Sequence, residues 1–73
     1  MKTKKETITV ESNAIKKASY DYDIRLLKIT FVNGKKYNYH NVPTDTFISM
    51  KYSKSIGRFI NKYIKSDFNY ESI

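Results

Sequence analysis

The chain has 73 residues, 40% hydrophobic and 29% charged, a balance expected of one packed domain with no room for a second. It contains no Cys, which excludes a disulfide framework and thiolate metal sites, and no apolar run approaches the ~20 residues of a membrane-spanning helix. Fourteen basic residues against seven acidic ones give a formal charge of +7, a field that attracts polyanions and speeds their encounter.

Residues 1–7, MKTKKET, carry three Lys and no apolar side chain after Met1. They are expected to form a flexible basic arm ahead of a single domain over 8–73. ITVES at 8–12 suits an extension of a strand. Beyond Ser12-Asn13-Ala14-Ile15, the side chains Ala18, Tyr20 and Tyr22 share one parity, and Asp21 and Asp23 around Tyr22 suit a turn. Residues 24–32, IRLLKITFV, give the clearest strand: Leu27, Ile29 and Phe31 fall on one face, and Leu26, Lys28, Thr30 and Val32 on the other. Asn33-Gly34 marks a tight hairpin, and 35–41, KKYNYHN, return with Tyr37 and Tyr39 on a common face.

Pro43 stops the sheet, because it has no ladder donor, and its fixed φ suits the first turn of a helix. Thr44 or Val42 would cap a short helix through about Lys51, with Phe47, Ile48 and Met50 available for burial. Ser53 and Ser55 offer a second helix start. From there Ile56, Phe59, Ile60, Tyr63 and Ile64 follow the spacing of an amphipathic helix, with Arg58, Lys62 and Lys65 away from most of that stripe. The tail DFNYESI pairs as a short edge strand or folds back as a cover. The expected fold is α+β: a three-stranded antiparallel meander followed by two short helices packed on one face, since a hairpin alone is marginal in water.

Asn33-Gly34 permits two hairpins. A two-residue loop puts Tyr37 and Tyr39 on the face opposite Leu27, Ile29 and Phe31, as a solvated aromatic platform. A three-residue loop, with Gly34 left-handed in a G1 bulge, puts the tyrosines on the core face. One residue of slip flips every side chain. Burial favours the second register, because a chain this short needs the apolar area of both rings.

These residues together resemble the KTSC domain, a small bacterial and phage family also found at the C-terminus of some lysyl-tRNA synthetases. The resemblance spans about residues 12–70. It rests on Ser12-Asn13-Ala14-Ile15, Tyr20-Asp21, Phe31 with Gly34 after it, Tyr37-Asn38-Tyr39, Val42-Pro43, Ser55-Ile56-Gly57, Phe59-Ile60-Asn61, Ile64-Lys65, and a closing Phe68 and Tyr70. The family has no assigned function; its synthetase setting implies RNA binding, and it supplies no catalytic or ligand residues to carry over.

The residue types offer little catalysis. His40 is the only His, and on the favoured register it faces away from the tyrosines. Gly34 and Gly57 are isolated, so no phosphate loop forms, and no metal or other cofactor is expected. A metal-free ribonuclease would have to use Tyr39, His40, Arg58 and Lys62. Binding is the stronger reading. Lys35, Lys36, Arg58, Lys62 and Lys65 are the expected phosphate contacts, with Tyr37 and Tyr39 as stacking or family-motif residues. The expected partner is RNA, without catalysis, in the cytoplasm and away from membranes. The alternative is a protein-interaction module, such as a phage-encoded regulator of an acidic host protein. Simple solubility competes with both as the reason for the charge, since twelve of the fourteen cations are Lys. Oligomeric state is left open.

Overall fold

A computed structural model describes residues 4–10 and 13–73. Five strands form one antiparallel sheet in sequential order: β1 (Lys5–Thr9), β2 (Ile15–Asp21), β3 (Leu26–Phe31), β4 (Lys36–Tyr39) and β5 (Tyr70–Ser72). Helix α1 (Thr44–Lys51) and a second helical segment lie between β4 and β5. That segment starts as α2 (Ile56–Phe59) and runs directly into a π-helical turn, Ile60–Ile64.

The α+β reading holds, with five strands where three were expected. β1 takes in Lys5, Glu6 and Thr7, which pair with Asp21, Tyr20 and Ser19. Those residues are therefore sheet, not a flexible arm; Met1 to Thr3, and Ser12 of the family pattern, lie outside the described residues. The alternation in β1 is hard to see because one of its two inward positions is Glu6. That carboxylate pairs with Lys51 at the end of α1 and accepts from the Tyr22 hydroxyl at 2.7 Å. A polar residue is thus held on the inner face by partners that only folding supplies. β5 returns beside β4, as the edge-strand reading of the tail proposed.

The β3–β4 hairpin has the register that burial favoured. Ile29 faces Tyr37 and Leu27 faces Tyr39. The turn closes with Gly34 N–H donating to the Phe31 carbonyl at 3.0 Å, and Gly34 has φ +89°, the left-handed conformation that suits Gly. Across β2–β3 the register shifts between Ile15 and Lys17. This bulge puts both Ile15 and Ala18 in the core, although a regular strand would send them to opposite faces. The Asp21 carboxylate accepts from the Asp23 and Ile24 amides, giving the turn expected of that cluster.

Both helices cover one face of the sheet. Phe47 and Met50 of α1, with Ile60 and Ile64, are buried against Tyr20, Leu27, Ile29 and Tyr39. Ile48 is exposed instead, because α1 presents only Phe47 and Met50 inward. Pro43 holds the N-cap position of α1 with no side-chain cap bond, so neither Thr44 nor Val42 serves as the cap. Ser55 does cap α2, accepting from the Arg58 amide at 3.3 Å.

Candidate nucleic-acid interface

The two tyrosines of β4 point inward, yet the helices do not roof the whole inner face. Tyr39 is buried, while Tyr37 is half-buried near the β5 edge. β5 adds Tyr70 directly across from Tyr39. Its ring lies 5.3 Å from that of Tyr37 and 5.6 Å from that of Tyr39, and Phe31 lies 5.5 Å from Tyr37 on the other side. The result is a row of rings, Phe31–Tyr37–Tyr70, with Tyr70 57% exposed. Burial, then the neighbouring Tyr70 and Tyr37 phenols, push the Tyr39 hydroxyl pKa up, so Tyr39 is a neutral floor to the row.

Two cations reach this row. Lys65 Nζ lies 5.5 Å from the Phe31 ring centroid, within cation–π range. The π turn puts it there. The Lys65 amide donates to the Ile60 carbonyl at 2.9 Å, which stacks Lys65 over a residue buried against the sheet. Helical spacing alone would have turned Lys65 away from that side, as the sequence suggested. Lys35 comes from the hairpin, its amide donating to Asn33 Oδ1 at 3.0 Å. Lys65, Tyr37, Tyr39 and Tyr70 line a recess of about 210 Å³; Lys65 and Tyr37 continue into a second, of about 190 Å³, with Phe31, Asn33 and Lys35.

Arg58 and Lys62 meet elsewhere. With Lys54, Ser55, Phe59 and Tyr63 they line a separate recess of about 240 Å³, where Lys62 Nζ lies 5.2 Å from the Tyr63 centroid. Lys36 joins neither group: it pairs with Thr30 on β3 and, alternating with Tyr37, belongs to the open face of the sheet. The ribonuclease quartet also fails to assemble. Tyr39 lines the β5-side recess, Arg58 and Lys62 line the other, and His40 contacts Glu71 at 3.1 Å.

Sequence reasoning found Lys35, Lys65, Tyr37 and Tyr39 but missed Phe31 and Tyr70 as their companions. The closing aromatic pair Phe68 and Tyr70 was the available signal. What it lacked was the pairing of β5 with β4, which lies some thirty residues back along the chain.

Comparison with known proteins agrees with this fold. The KTSC domain family model matches residues 11–68. A protein of Tsukamurella paurometabola is 39% identical over 59 residues, covering 81% of this chain and 88% of its own. The crystal structure of a KTSC domain protein from Yersinia pestis superposes with a TM-score of 0.85 at 32% identity, covering 96% of this chain and 99% of that one.

Proposed function

The chain belongs to the KTSC domain family, and from that premise we propose that it is a small basic module that binds unpaired RNA without catalysis in the cytoplasm. The observation that carries this reading is the meeting of Lys65 with the ring row Phe31–Tyr37–Tyr70. Single-strand binders combine a backbone-tracking cation with an accessible ring on which a base stacks. Here Tyr70 offers the ring, while Lys35 and Lys65 stand where adjoining phosphates would pass. Arg58 and Lys62 supply a second pair of phosphate contacts from the same helical segment. Membership in the family favours RNA over DNA through its synthetase setting.

Anisotropy of a labelled single-stranded RNA at rising salt tests it. Four phosphate contacts predict a log–log slope of about −3, at about −0.7 per contact, with the RNA left intact in EDTA. A flat salt response, or no binding at low salt, overturns the reading.

A further inference from the structure

A groove between the two helical segments reverses the sign of the surface around it. Asp45 and Ser49 of α1 form one wall, Phe59 and Tyr63 the other, and Asp67 and Phe68 close it, around about 360 Å³. Phe59 and Tyr63, with ring centroids 4.8 Å apart, make a ridge with two different flanks. Lys54, Arg58 and Lys62 lie along one, and Asp45 and Asp67 along the other.

The fold leaves these carboxylates unpaired. The ion pairs among the described residues are His40–Glu71 and Lys51–Glu6, so neither Asp45 nor Asp67 is neutralised in a chain with fourteen cations and seven anions. Asp45 sits in the first turn of α1, where the helix dipole favours an acid. Asp67 is placed the other way. It follows the C-cap Lys65 of the π turn, at the helix end where negative charge is disfavoured, and so its local position does not account for it.

Two free carboxylates at the rim of an aromatic trough are the complement of a cationic head on an apolar stem. Aromatic rings attract a cation, carboxylates accept from a guanidinium, and an apolar stem packs along rings. The same two charges repel phosphate. We propose that this groove binds an arginine side chain presented by an exposed segment of a partner protein. The inference does not rest on RNA binding, although Phe59 and Tyr63 also form part of the recess that holds Arg58 and Lys62.

The probe is the peptide acetyl-Gly-Arg-Gly-amide, followed by NMR of the full chain, with norleucine replacing Arg in the control. The Arg peptide is expected to shift the ring resonances of Phe59, Tyr63 and Phe68 saturably, and the control is not. Asp67→Asn, outside any helix or strand, is expected to weaken binding about threefold, and D45N/D67N about tenfold, with the amide spectrum elsewhere retained. Equal binding of both peptides, unchanged affinity in Asp67→Asn, or absence of saturable shifts overturns the proposal. So does an RNA oligonucleotide that shifts the Phe68 ring, which lines this groove and not the Arg58–Lys62 recess, or shifts that follow protein concentration without peptide, which would assign the groove to a second copy.

Discussion

Tyr20 of β2 lies flat against Phe47 of α1, ring centroids 4.5 Å apart and planes 8° from parallel, while its hydroxyl donates to the Val42 carbonyl at 2.5 Å. One side chain thus ties the sheet both to the first helix and to the segment that leads into it. Both rings are fully buried.

Tyr20→Phe keeps the stack and removes the donor to Val42. The expected loss is about 1–3 kcal/mol, the range for a buried acceptor deprived of its partner. Phe47→Ala, which empties a fully buried site, is expected to cost about 3–5 kcal/mol. Urea denaturation measures both, and a Tyr20→Phe protein as stable as the parent would show that the hydroxyl contributes nothing.

Gly34 has φ +89°, and a Cβ built there meets nothing within 4 Å. The strain of a side chain at this position is therefore in the backbone alone. Gly34→Ala is expected to destabilise by about 1–2 kcal/mol, and Gly34→Asn by less, since Asn tolerates this conformation. The urea midpoint should fall at constant m-value.

Glu6 carries a pH signature. Its bond to Lys51, then that to the Tyr22 hydroxyl, hold the carboxyl pKa below its usual value. A folded pKa below the unfolded one means the stabilisation is present above the unfolded carboxylate value, about 4.3, and is lost as pH falls through the folded value. Lys51 has the opposite sign: its pKa is raised, chiefly by the bond to Glu6, and its contribution disappears only as pH rises through that raised value. Between pH 7 and pH 3 the melting temperature of the parent should drop further than that of Glu6→Gln. Parallel profiles would remove Glu6 from the account.

For RNA binding, Tyr70→Ala is expected to weaken affinity by about 1–3 kcal/mol through the lost stacking. Lys65→Ala should make the salt slope shallower by about 0.7. Lys36→Ala, on the open face, should change neither. Melting curves recorded alongside separate an affinity loss from a folding defect, and a Lys36→Ala effect as large as that of Lys65→Ala would move the interface to the other side of the sheet.

Much of this architecture is legible in residue order. The alternation Leu27, Ile29, Phe31, the Asn33-Gly34 turn, Pro43 before α1 and Ser55 at the start of α2 each specify their own local geometry. Even the hairpin register followed once burial was weighed, because Tyr37 and Tyr39 had only one productive place to go. The candidate site was legible only in pieces. Lys35, Arg58, Lys62 and Lys65 were visible as charges, but nothing in their spacing revealed that Lys65 leaves the other two helix cations and joins Tyr37.

The residues alone settle those features that depend on a few neighbouring φ and ψ angles or on a short apolar period: strand faces, turns, caps and the amphipathic helix. Folding in three dimensions settles the rest. β1 is held in part by Glu6 reaching Lys51 and Tyr22, β5 by pairing with β4, and Lys65 is delivered to Phe31 by a single wide helical turn. Each of these depends on contacts between segments distant in the chain, and neither partner carries that energy until the other is in place.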